Sequence, residues 1–434
     1  MHNGAMRRSA SHYLKSLTQR ILFSLEQFSR HEMANHAAAG AYSFLLSAIP
    51  AVLVILFISS RAVASFDAEG IIRLLSPFLQ AFGGRDALRS FLSTPLAGFA
   101  GAFGFINLVW AARLFIVSIQ RGIRVVYSDA AKANPIRENA LTFVVELVVI
   151  VAVVLIISAS QVARAAIAAM DWAPAAAFFG LAVKTAFHAL PMASLWLFVF
   201  LTYENIPPLK PRVRHAALSS ALCVASYTVL GGLLGLTLDT ARYGLLYGIL
   251  GNLIVGLIKV YFFFWLYFFF AEMCYAIEYF DSLLFARFHR ISSSDKPAGR
   301  IERTLFAEPD RLFKRYAREY AAGRTIFSKG DADRSALYLY RGSVEIYLSP
   351  PGDAGATLVS TVEEGEFFGE MAWILEESRS AYAVAKDACT VFVLPPELFE
   401  RFLAQDAGAS RRLVELLAAR LKANNDLLSK AEIR

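Results

Sequence analysis

The chain has 434 residues, of which 56% are apolar and only 18% are Asp, Glu, Lys or Arg, and its formal net charge is +7. A soluble domain carries about 25% charged residues, so this composition excludes an ordinary soluble enzyme and a disordered chain and indicates spans in a membrane. Residues 1–290 hold 23 Lys and Arg against 14 Asp and Glu, whereas residues 291–434 hold 20 against 22; the polar half therefore has no basic nucleic-acid face, and no nucleic-acid partner is expected.

Residues 1–36 read as a cytoplasmic segment. They are mixed polar, with Arg7, Arg8, Lys15, Arg20 and Arg30, and they lack the early apolar run of a cleavable signal. From 37 to 280 the chain holds six stretches of about the 20 apolar residues that a helix needs to cross a bilayer. These are near Ala37–Ala64, Leu96–Ile119, Leu141–Ala163, Ala175–Thr202, Ala216–Leu238 and Leu245–Met273. Pro50 is expected to kink the first. An all-α six-helix transmembrane bundle is predicted. Lys and Arg flank the leading segment and the second and fourth connections more heavily than the third and fifth. That asymmetry places both termini in the cytoplasm and the protein, multi-pass, in the inner membrane. Cys223, Cys274 and Cys389 have no zinc or disulfide spacing, and no metal is expected.

Ionisable residues inside an apolar span are costly and tend to face a bundle interior or a wet cavity. Glu146, Lys184, His188 and Lys259 are the candidates, with Lys184 and His188 one helical turn apart. They form either a polar path for a small solute, ion or proton, or structural ion pairs; the residues alone leave both open. Arg113 and Glu272, nearer the span ends, are read as structural or snorkelling.

His36-Ala-Ala-Ala-Gly-Ala-Tyr-Ser-Phe-Leu-Leu-Ser-Ala-Ile-Pro50, Ile206-Pro-Pro-Leu-Lys-Pro-Arg-Val-Arg-His215, and Tyr247-Gly-Ile-Leu-Gly251 followed by Trp265-Leu-Tyr267 and Glu272 resemble the YihY/BrkB family of inner-membrane proteins over roughly residues 20–280. The resemblance implies six membrane helices and no agreed substrate. Some members of that family carry an old ribonuclease BN label. The residues here give it no support, since they offer neither a carboxylate cluster nor an HxH-type spacing for a nuclease metal.

After Asp281 the pattern changes, and residues 281–300 read as a linker, with Ser292–Gly299 a loop by composition. Ile301–Tyr320 reads as one amphipathic helix. From Gly323 the period becomes two, and short strands broken by Gly, Pro and Asp predict a β jelly roll of about eight strands with flanking helices, over 301–434. A closing helix over Ser410–Ser429 follows Pro395-Pro396.

Within this roll, the run Gly365-Glu-Phe-Phe-Gly-Glu-Met-Ala-Trp-Ile-Leu-Glu-Glu-Ser-Arg-Ser-Ala381 resembles the phosphate-binding cassette of cyclic nucleotide-binding domains of the catabolite activator protein type. Ser378 stands where proline is usual, and Trp373 is bulkier than the usual leucine. The chemistry fits a 3′,5′-cyclic nucleotide. Gly369 lets the backbone approach the sugar, and Glu370 can accept the ribose 2′-OH. Arg379 can pair with the phosphate as a charge-assisted fork, and Ser380 and the Ala381 N–H add donors. Phe368 and Met371 complete the candidate cassette. Asn424 and Asn425 on the closing helix either touch the base, as the resemblance implies, or set register in a helical dimer. Ser380 after the arginine favours cAMP over cGMP.

The sequence thus predicts a non-enzymatic, cyclic nucleotide-responsive membrane protein whose partners are the lipid bilayer and the nucleotide, with homo-oligomerisation open. Its output is cAMP-regulated transport of a small solute. The alternative is a membrane-anchored sensor or scaffold without transport, with a degenerate nucleotide site.

Overall fold

The computed structural model describes residues 2–62, 114–127, 192–237, 249–293, 299–351, 356–415 and 417–418. The chain divides into two compact units, Arg20–Glu278, and Met1–Gln19 together with Tyr279–Arg434.

In the first unit every described element is helical. After α1 (His2–Arg30) come α2 (Met33–Ala62), helical residues 114–126 and 192–205, α3 (Val213–Thr237) and α4 (Ile249–Glu278). The helix of α2 continues through Pro50. Two stretches, Val213–Leu236 in α3 and Ile254–Glu278 in α4, are long and apolar enough among the described residues to cross a membrane. The predicted span Leu141–Ala163 lies outside the described residues.

α4 packs against α2 and α3 through an aromatic seam. Phe264, Tyr267 and Phe268 are fully buried there. Gly122 permits the closest approach: a β-carbon at that position would lie 2.2 Å from the Phe268 ring. The backbone and hydroxyl groups along this seam satisfy one another. Tyr203 donates to the Tyr267 carbonyl at 2.5 Å, and the Tyr267 hydroxyl donates to Thr202 Oγ1 at 2.8 Å. Small residues that admit large rings, with polar side chains paired across helices, are how helices associate where no aqueous hydrophobic effect drives them. On α3, by contrast, Leu218, Leu222, Val229 and Leu236 face outward.

The second unit, besides the first part of α1, holds α5 (Phe280–Ser292), followed by α6 (Arg300–Phe306) and α7 (Asp310–Tyr316). Eight strands follow: β1 (Ala317–Tyr320), β2 (Thr325–Phe327), β3 (Ala336–Arg341), β4 (Val344–Tyr347), β5 (Leu358–Val362), β6 (Phe367–Phe368), β7 (Tyr382–Ala385) and β8 (Cys389–Leu394). Between them α8 (Glu370–Ile374) follows β6, and α9 (Pro396–Gln405) follows β8. The strands form two antiparallel four-stranded sheets, in orders β1-β8-β3-β6 and β2-β7-β4-β5. Alternate residues such as Leu337, Leu339, Phe368, Ala383 and Val391 point between the sheets and make the core.

Two expectations are corrected here. Residues 281–300, read as a linker, hold helix α5, whose Phe285 and Phe288 are fully buried. Helical spacing brings Phe285, Phe288 and His289 to one face, and that face meets the rings of Tyr338, Phe392 and Phe402. The serine run that suggested a linker begins only at the helix end. The single helix expected over Ile301–Tyr320 is two short helices and a strand. Pro309 has no N–H to continue the first, and the chain turns extended at Ala317 (φ −72°, ψ 138°).

Candidate functional site

The site is built on one sharp change of direction. β6 ends at Phe368, whose ring belongs to the core and stacks on Phe327 with centroids 6.2 Å apart. Gly369 then adopts a left-handed conformation (φ 69°, ψ 6°) and caps the five-residue helix α8. A β-carbon on residue 369 would sit 2.6 Å from Arg379 Nη1 and 2.9 Å from Leu337 Cδ1. Glycine is required both by the dihedral and by the side chains closing over it.

Arg379 reaches back from the loop after α8 to this glycine. Its backbone is pinned first: its N–H donates to the Asp331 carbonyl at 2.9 Å, and its carbonyl accepts from Gly330 at 2.8 Å. Arg379 as a whole is only 3% exposed. Nη1 donates to the Gly369 carbonyl at 2.6 Å, while Nη2 donates to the Ser335 carbonyl at 2.7 Å and to Asp333 Oδ2 at 3.0 Å. The Phe327 ring lies 4.5 Å from Cζ, a cation–π distance. Nε is buried with no hydrogen-bond partner among the described residues. A buried, fixed cation with an N–H still unused is suited to an anion.

The neighbouring groups complete the electrostatics. Glu370 is fully buried directly after the capping glycine. Asp333, half of it exposed, supplies the local counter-charge to Arg379. Burial opposes its ionisation, but hydrogen bonds from Ser335 and the pairing with Arg379 outweigh that and hold the carboxyl below its ordinary range. Met371 and Ala381 are half-buried and Ser380 is exposed. The Trp373 indole packs edge-on against Phe399 of α9, with centroids 5.1 Å apart. Of the expected cassette, then, Phe368, Gly369, Glu370 and Arg379 are brought together on one side of the roll.

Other expected residues stand apart. Glu146, Lys184, His188, Asn424 and Asn425 lie outside the described residues. Lys259 is half-buried on α4. Glu272 is fully buried and its Oε1 lies 2.6 Å from His31 Nδ1, which agrees with its reading as a structural partner. Cys223, Cys274 and Cys389 are free and buried.

Sequence reasoning missed the groups that hold the arginine. Phe327, Asp333 and Ser335 are 44 to 52 positions upstream of it by number, in a loop and a strand end that carry no motif of their own. It also missed His289, whose Nδ1 lies 3.5 Å from Asp406 Oδ2. Asp406 ends α9, and its Oδ1 accepts the Ala409 N–H at 3.0 Å, capping the helical residues 407–415. Burial penalises this carboxylate. The His289 ring, the Ala409 N–H and the nearby Arg290 charge outweigh the penalty and hold its pKa at about 2, against an ordinary 3.8. A depressed carboxyl stabilises the fold above the ordinary value and ceases to do so as the pH falls toward the folded one. The stability of this unit should therefore drop by about 1–2 kcal/mol between pH 4 and pH 2 through this group. Melting curves of wild type and Asp406→Asn over that range check it; the variant should lose the step.

An antiparallel roll that places a left-handed glycine, a buried acid and a buried arginine in this order defines a cyclic nucleotide-binding domain, and the model of that domain matches residues 317–406. The chain as a whole belongs to the Virulence factor BrkB family, whose model matches residues 24–285, more than half of its length. It is therefore a BrkB-type membrane-family protein, helical in its N-terminal region, joined to a cyclic nucleotide-binding domain. Over part of its length the chain is similar to "Glutaminase 1" of Bradyrhizobium diazoefficiens, 42% identical over 108 residues, which cover 24% of this chain and 17% of that one. It is also similar to the "Cyclic AMP receptor protein" of Thermus thermophilus, 32% identical over 27% of this chain and 55% of that one. Among solved structures, the Thermus thermophilus catabolite activator protein is 29% identical over 28% of this chain and 58% of that chain, with a TM-score of 0.25. The chain spans 17% to 55% of the length of these two curated relatives.

Proposed function

We propose that this chain is a six-span protein of the inner membrane, with both termini cytoplasmic, that is regulated by a 3′,5′-cyclic nucleotide. Residues 37–280 form the membrane domain, and residues 301–434, joined by α5, form the sensor. The observation that carries the reading is the buried Arg379 seated on Gly369, directly beside the buried Glu370. In this reading the nucleotide phosphate takes the unused Nε–H of Arg379 and competes with Asp333 for the guanidinium. Glu370 accepts the ribose 2′-OH, and Ser380 and the Ala381 N–H add donors. cAMP is favoured over cGMP. The nucleotide is bound and not turned over.

The route outward begins at β6. Phe367 precedes the cassette and is in ring contact with Phe285 and His289 of α5 and with Phe402 of α9. A single residue, Tyr279, separates α5 from α4. A ligand can bias the membrane unit only through its differential affinity for two states. The aromatic packing of α5 gives those states a physical form, because a shift of Phe367 must be taken up by the helix against it.

The test for the ribose contact is chemical. Glu370→Gln keeps the shape and removes the charged acceptor. Calorimetry should show the wild type binding cAMP at least tenfold more tightly than 2′-deoxy-cAMP, and the variant binding the two alike. An unchanged ratio removes Glu370 from the site.

For the output, we propose transport of a small solute, with Lys259 on α4 part of the path. Purified protein in vesicles should pass solute at a rate that changes on adding cAMP, and Lys259→Ala should abolish the flux. Flux that ignores both leaves the anchored sensor without transport.

A further inference from the structure

Helix α1 carries an apolar face that the described chain does not cover. Leu14, Leu17, Leu22 and Leu25 are 67%, 51%, 37% and 45% exposed. At 3.6 residues per turn Leu14, Ile21 and Leu25 fall on one stripe, with Leu17 and Leu22 beside it. The opposite side is buried, at Gln19, Phe23 and Gln27. The helix also carries Arg7, Arg8, Lys15, Arg20 and Arg30 against the single acid Glu26. Two residues after its end α2 begins, the first predicted span.

This combination selects one occupant. Four exposed leucines along one helix face need an apolar partner. The cations of its N-terminal half, Arg7, Arg8 and Lys15, call for an anionic one. A second copy of α1 would meet the leucines but would set cation against cation. Helix α1 is too highly charged to cross a membrane and is not among the stretches long and apolar enough to do so. A bilayer surface meets both demands: acyl chains beneath the leucines, phosphate headgroups beside the cations. We infer that α1 lies in the plane of the bilayer surface, with its leucine stripe among the acyl chains and its cations against anionic phospholipid. The inference does not depend on the nucleotide reading.

The test uses the full chain in nanodiscs of phosphatidylcholine, with and without phosphatidylglycerol. Spin labels are placed at Leu14→Cys, Leu25→Cys and, as a control on the polar side, Glu26→Cys; the native Cys223, Cys274 and Cys389 are buried. At positions 14 and 25, collisions with oxygen should exceed those with a polar nickel complex severalfold, with the reverse at 26. The preference should grow with phosphatidylglycerol, and Arg7→Gln/Arg8→Gln/Lys15→Gln should remove that growth. Nickel-favoured collisions at 14 and 25 in both lipids overturn the inference. So does spin–spin broadening between copies without an oxygen preference, which gives the face to a second copy. A preference equal in both lipids overturns the anionic assignment.

Discussion

Arg379→Lys should weaken cyclic nucleotide binding by on the order of 100-fold while leaving the roll folded. The guanidinium donates at once to the carbonyls of Gly369 and Ser335 and to Asp333, and still presents Nε–H. An ammonium has one nitrogen and no planar fork. If it stays with the carbonyls it cannot reach the phosphate, and if it turns to the phosphate it abandons them. A hydrogen bond to a charged group contributes about 1.5–3 kcal/mol, which is one to two decades of affinity. Calorimetry on the full chain reads the affinity, and a melting curve on the same sample separates it from unfolding. Arg379→Ala goes further and takes the donor from the buried Ser335 carbonyl and the part-buried Gly369 carbonyl, so its cost should appear in the melt as well. Equal affinity in wild type and Arg379→Lys would remove the arginine from the phosphate site.

Gly369→Ala should destabilise the sensor by roughly 2–4 kcal/mol. Two penalties combine. The left-handed backbone costs an L-residue about 1–2 kcal/mol. The new carbon would also stand 2.6 Å from Arg379 Nη1 and 2.9 Å from Leu337 Cδ1. The arginine must leave its carbonyl or the core leucine must shift. Nucleotide binding should be lost along with stability. Gly323→Ala, also at positive φ but with open space around its would-be β-carbon, should cost only the backbone part. Denaturant melts of the two variants give the comparison, and equal losses would mean that Arg379 and Leu337 give way to the new methyl without cost.

The parts of this protein that sequence made legible are those in which one local rule governs. The cassette could be read because glycine, acid and arginine lie within eleven consecutive positions, and their chemistry needs those residue types in that order. The strands could be read because their core positions alternate. Helix α5 was not legible as part of the sensor. Phe285 and Phe288 follow an aromatic membrane-type run, and only the folded roll supplies Tyr338, Phe392 and Phe402 for them to meet. The break at Pro309 was visible in the sequence but lost in an otherwise regular apolar pattern. Asp333 and Phe327 could not be found at all by spacing. They are brought to Arg379 by the turn at Gly330 and by backbone pairing of Asp331 with Arg379, contacts between distant parts of the chain. The same holds for His289 and Asp406, more than a hundred positions apart and neighbours only because α5 packs on α9.

The most direct measurement is titration of cAMP into the purified full-length chain, followed by calorimetry and repeated with Arg379→Lys. The expected result is saturable one-site heat for the wild type and its loss in a variant that still melts cooperatively. No heat from a folded wild-type protein, or heat that survives the substitution, would contradict the assignment of this roll as a working nucleotide sensor.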